Sequence, residues 1–172
     1  MPLRSVPVQA ALPLNDETYE PRNNTALLDA IGQTIDELGK SLAALPEKDR
    51  PGQVIVAILT DGLENASRRY AWTDVADRIK QQTAGYKWTF LFLGANQDAI
   101  ATAAQLNIAA GNSASYVADA AGSAASHAAF SRKARALRRN SMGIASQEET
   151  ADAAAPMATI LQEEDGKQRK SR

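Results

Sequence analysis

The chain has no cysteine and a single histidine, His127, among its 172 residues. The first absence removes disulfides, thiolate metal sites and cysteine nucleophiles together, and the second removes histidine-rich metal centres. An excess of either charge is missing as well. Nineteen basic and twenty acidic residues leave a formal net charge of −1, which gives no global field to draw the protein onto nucleic acid or anionic lipid. No apolar run approaches the length of a membrane span, and the opening MPLRSVPVQAALPLND lacks the apolar core of a secretory signal. A cytoplasmic protein that contacts neither nucleic acid nor membrane is expected. Glycine-rich phosphate loops and long-period repeats are also absent: Gly32 and Gly39 stand alone inside a helical pattern.

What is present begins with a weakly patterned start. Residues 1–23 hold short apolar pieces between prolines at 2, 7, 13 and 21, which suits an extended arm or an edge strand. From Asn24 the texture changes, because Leu28, Ile31, Ile35, Leu38, Leu42 and Leu45 recur at spacings of three and four. That spacing predicts an amphipathic helix, capped by Asn24 or Thr25, with Asp29 in its first turn and Pro46 as its stop. Val54 to Leu59 (VIVAIL) is too short for a globular helix and rich in β-branched residues, so it predicts a strand buried on both faces. A helix capped by Thr73 and ending near Gly85 follows, then a second strand, WTFLFL (88–93), and a third helix over about 98–106. Ser113 to Val117 is a candidate third strand. Helices alternating with short apolar strands predict an α/β fold with parallel strands joined by right-handed crossovers.

Residues 122–139 form an alanine-rich helical stretch ending in Arg132, Lys133, Arg135, Arg138 and Arg139, read as a solvated helix end whose cations suit the dipole. A phosphate or acidic-partner site is the other reading. Beyond Asn140 the composition is Ala, Glu, Gln, Lys and Ser without an aromatic residue, which predicts disorder. Three segments are thus expected: an arm (1–23), an α/β domain (24–140) and a disordered tail (141–172).

Chemistry is sought first at the end of the VIVAIL strand, because ligands of open α/β sheets bind at the carboxyl ends of the strands. Asp61 stands there, followed by Gly62, which lets the backbone turn without a Cβ clash. It is either a ligand-holding carboxylate or an ordinary turn residue accepting backbone hydrogen bonds. Thr25, preceded by Asn23 and Asn24, is either a helix cap or a neutral oxygen ligand. A carboxylate and a hydroxyl on neighbouring loops suit a hard divalent cation such as Mg²⁺. Glu64, close by, is read as facing solvent.

TALLDAIG (25–32) followed by VIVAILTDGLENAS (54–67) resembles the von Willebrand factor A domain, in its bacterial and phage cytoplasmic branch, over about 12–106. The resemblance implies a doubly wound, Rossmann-like sheet and a metal-ion-dependent adhesion site, with Thr25 and Asp61 as two of its three arms. It implies a protein-binding module rather than an enzyme, with Mg²⁺, or Mn²⁺, offering an open position to an acidic side chain of a protein partner. The family's Asp-x-Ser-x-Ser segment is not found in this chain. The resemblance therefore implies a partial domain, with the first strand and third arm missing and an unpaired strand edge open to self-association. The alternatives are a metal-dependent enzyme of phosphate or nucleotide chemistry with Asp61 at its centre, and a non-functional fragment of a longer protein.

Overall fold

A computed structural model describes residues 8–10, 24–95 and 98–170. Three strands, β1 (Ile55–Thr60), β2 (Thr89–Ala95) and β3 (Ser113–Tyr116), form one parallel sheet in the order β1-β2-β3. Among the described residues six α-helices flank it: α1 (Leu27–Ala43), α2 (Trp72–Tyr86), α3 (Ala99–Gln105), α4 (Ala120–Ser141), α5 (Gln147–Ala154) and α6 (Met157–Lys170). The α/β fold expected from the pattern is therefore present, as a partial Rossmann-like sheet. No helix among the described residues is long and apolar enough to cross a membrane.

The sheet divides the core in two. On one face, Phe90 and Phe92 of β2 and Ile58 of β1 pack with Leu28, Ile31 and Ile35 of α1, Val75 and Ile79 of α2, and Ala99 and Ala103 of α3. On the other, Leu93 and Ala114 pack against Ala125 and Ala129 of α4 and Met157, Ile160 and Leu161 of α6. Alternation along β2 explains the split, since consecutive side chains of a strand point to opposite faces. Both faces of β2 are covered, so Phe90 to Ala95 is buried throughout.

Five expectations are corrected here. The tail is not disordered: α5 and α6 occupy residues 147–170, and Met157, Ile160 and Leu161 are buried. Its apolar residues are sparse, yet three of them fall on one helical face and complete the core of the second layer. The strand at 54–59 is covered on one face only, because Ala57 and Leu59 are exposed while Ile58 and Thr60 are buried. Nothing in the composition of VIVAIL distinguishes a central strand from an edge strand. α1 takes no cap from Asn24 or Thr25: Ala26 holds the N-cap position. Likewise α2 begins before Thr73, with Ala71 at its N-cap and the Ala71 N–H donating to Asp74. Within the arm, Val8–Ala10 is a single 3-10 turn rather than an extended piece; the rest of 1–23 lies outside the described residues.

The arginine-rich helix end is also more than a solvated terminus. Lys133 is 2 % exposed and donates to the carbonyls of Asp152, Ala153 and Ala155, which caps the C-terminus of α5. Burial pulls its pKa down, against the opposing charge of Asp152. Beside it, Arg132 binds Asp152, Glu163 and Glu164, joining α4 to both later helices.

Candidate functional site

The carboxyl end of β1 is tied to the start of α1 by an exchange of carboxylates. The loop after β1 turns back under Thr60, whose hydroxyl donates to the Gly62 carbonyl at 2.8 Å. Two residues on, Glu64 accepts from the N–H of Leu28 in the first turn of α1 (2.8 Å) and from the N–H groups of Ala66 and Ser67. The Ser67 hydroxyl donates to it as well and accepts from the Asp29 N–H. In return, Asp29 accepts the N–H groups of Arg68, Arg69 and Tyr70. Glu64 therefore caps α1 from outside the helix, which is why neither Asn24 nor Thr25 needs to. Its expected role as a solvent-facing residue is corrected.

These contacts set the charge states. Burial opposes ionisation of Glu64, but the donors from Leu28, Ser67 and Ala66 outweigh it and hold the pKa below the ordinary value of 4.5. The Arg68 N–H does most to lower Asp29, against desolvation and with help from the Arg69 and Tyr70 N–H groups. A second clamp lies further along α1. The Tyr70 ring lies flat on Gly32, where an added Cβ would meet ring carbons at 2.5 to 2.8 Å. The Tyr70 hydroxyl donates to Asp36, which also pairs with Arg78.

The loop so held brings the two sequence-predicted residues together. Thr25 donates its N–H to Asn65, and its carbonyl accepts from the N–H groups of Asn65 and Ala66. Its hydroxyl oxygen then lies 2.6 Å from where a Cβ on Gly62 would stand. Glycine is required at that position by close approach, not by a positive φ. Asp61, next to Gly62, is exposed, and no described residue donates a hydrogen bond to its carboxylate. It continues the row of strand ends formed by Ala95 and Tyr116, which pair across β2 and β3. Burial raises the Tyr116 pKa, and the Asp61 charge raises it further. Tyr116 was not a candidate from the sequence. A tyrosine ending a short strand carries no signal until the pairing places it in this row.

The arrangement thus holds one hydroxyl, one exposed carboxylate and a phenol at the carboxyl ends of the strands. Thr25 and Asp61 lie on adjacent loops, as oxygen ligands of one cation would have to. Among the described residues no group of three or more Asp, Glu, His and Cys side chains is placed to hold a metal ion. Glu64 and Asp29, on the segments flanking Asp61 and Thr25, accept from backbone N–H groups and, for Glu64, from the Ser67 hydroxyl. No protein-family model, curated protein or solved structure matches the chain.

Proposed function

We propose that this chain is a cytoplasmic protein-binding module of the von Willebrand factor A type. Its adhesion site has two arms, Thr25 and Asp61, which hold Mg²⁺ or Mn²⁺ weakly and present it to an acidic side chain of a partner protein. The observation that supports this reading is the meeting of the Thr25 hydroxyl with the Asp61–Gly62 turn, from segments far apart in sequence, at the end of a parallel strand. Two protein oxygens leave most of the coordination sphere to water and to the partner, which suits Mg²⁺, an ion that dehydrates reluctantly. A partner carboxylate would complete the site. No reacting group is needed, and catalysis is not part of the proposal.

The test is paramagnetic broadening of backbone amide signals by Mn²⁺. Broadening centred on Thr25 and Gly62, reversed by excess Mg²⁺ and lost in Asp61→Asn, is the expected result. Broadening centred elsewhere, or unchanged in Asp61→Asn, overturns the assignment. Micromolar Mg²⁺ binding by the chain alone in calorimetry would contradict the incompleteness of the site.

A further inference from the structure

The surface of β1 away from β2 is a strand edge with an uncovered face. Parallel strands normally have both faces covered and both edges paired or blocked. Here β1 pairs with β2 alone among the described residues. The Thr89 N–H donates to the Val54 carbonyl, so the even-numbered residues of β1 direct their backbone groups towards β2. Those of Ile55, Ala57 and Leu59 therefore face outward. The same three residues form the uncovered side-chain row, with Ala57 and Leu59 exposed. No charge, proline or glycine interrupts Val54 to Leu59, so the usual devices that blunt an edge are missing. Ile55 and Ala57 of the row form one wall of a groove with Gly52 and Gln53, and Ala134 and Arg138 of α4, with Met142 just beyond its end, form the other.

We propose that this edge binds a second copy of the chain, β1 against β1 in antiparallel register about a two-fold axis at Ala57. That register is the one that uses every outward backbone group. Ala57 opposes Ala57 of the second copy and Ile55 opposes Leu59, each as a hydrogen-bonded pair, and each pair lies on the same face. The smallest side chain of the row sits on the axis. Charge points to the same occupant. Continuing the register by one more pair sets Asp61 of one copy opposite Gln53 of the other, beside Arg138 in the groove. Arg138 is exposed and its guanidinium forms no ion pair with a described residue; Asp61 is the exposed carboxylate described above. The symmetry makes this contact twice. An antiparallel pair added to a parallel sheet gives a mixed sheet, a common arrangement. The pairing goes beyond the cation site and competes with it for Asp61.

Sedimentation velocity of the full chain in buffer containing EDTA tests the pairing without involving the cation. A concentration-dependent dimer is expected, weakened roughly ten-fold or more by Asp61→Arg and by Arg138→Glu, and restored when both are combined. Ala57→Cys in this cysteine-free chain adds a readout independent of those variants. Cα atoms of a hydrogen-bonded antiparallel pair lie about 5.5 Å apart, within disulfide range, so mild oxidation gives a covalent dimer. Ala101→Cys, on the exposed side of α3, gives no covalent dimer under the same oxidation. A chain that remains monomeric at all concentrations overturns the proposal. So does a dimer indifferent to both charge reversals, or one that Ala57→Cys does not cross-link.

Discussion

Glu64 does more for this structure than its place in a polar loop suggests. It supplies the acceptor that the first turn of α1 lacks, and it orders the loop that brings Gly62 to Thr25. Removing it leaves the Leu28 N–H without its acceptor, so Glu64→Ala is expected to cost about 1–3 kcal/mol in urea unfolding. The same contacts predict acid sensitivity. The folded-state pKa values of Glu64 and Asp29 lie below their ordinary 4.5 and 3.8. Their contribution is therefore complete above those values and is lost as pH falls through the lower, folded-state ones. Unfolding midpoints measured from neutral pH into this acid range should fall, and should fall less steeply in Glu64→Gln. Gly62 has a narrower role. In Gly62→Ala the new methyl displaces the Thr25 hydroxyl while Asp61 stays in place. Mn²⁺ broadening should then weaken at the Thr25 amide, with the amides of β2 unaffected.

At the scale of the element, α1 contains two glycines with opposite expectations. Alanine is favoured over glycine inside a helix by about 1 kcal/mol. At Gly39 the nearest neighbour of an added Cβ is the Gln82 amide at 4.0 Å, so Gly39→Ala should raise stability by roughly 0.5–1 kcal/mol. At Gly32 the Tyr70 ring occupies that space, and the ring is held by the Asp36 and Arg78 contacts. Gly32→Ala should therefore destabilise despite the better propensity; thermal denaturation of the two variants in parallel decides it. α6 yields the opposite kind of test. Ile160 is 1 % exposed in the second core layer, so Ile160→Ala should cost about 2–4 kcal/mol. A dispensable tail would show no change.

On the scale of the whole molecule, the two layers are unequally finished. β2 is enclosed, β3 is backed by α3 and α6, and β1 pairs along one edge only among the described residues, with Ala57 and Leu59 exposed on one face. α4, α5 and α6 are bound to each other by Lys133, Arg132 and the Asp152 and Glu164 carboxylates. Lys133→Met removes the donor to three carbonyls at the end of α5 while keeping the volume. It is expected to lower stability by about 1–3 kcal/mol and to increase amide exchange first in α5. The open side of β1, with Ala57 and Leu59 exposed, is the surface on which the proposed pairing acts.

The sequence by itself determined the α/β class and the three strands. Short β-branched and aromatic runs, heptad-like spacing and a strand-terminal Asp-Gly are local signals that survive in any tertiary context. Asp61 stands out as a candidate for that reason and Thr25 for its place before a helical pattern; the structure places the two on adjacent loops. Other features needed the fold. Glu64 caps a helix to which it is not adjacent in sequence, Tyr116 joins the site through strand pairing, and Lys133 is buried because α5 ends above it. The order of the tail is not legible in its composition, because burial of three residues on one face of α6 depends on a partner surface that composition does not record. Whether VIVAIL is central or peripheral was decided by the tertiary structure alone. An apolar strand reads the same whether its neighbour is present or not, and only the arrangement of the sheet shows the edge.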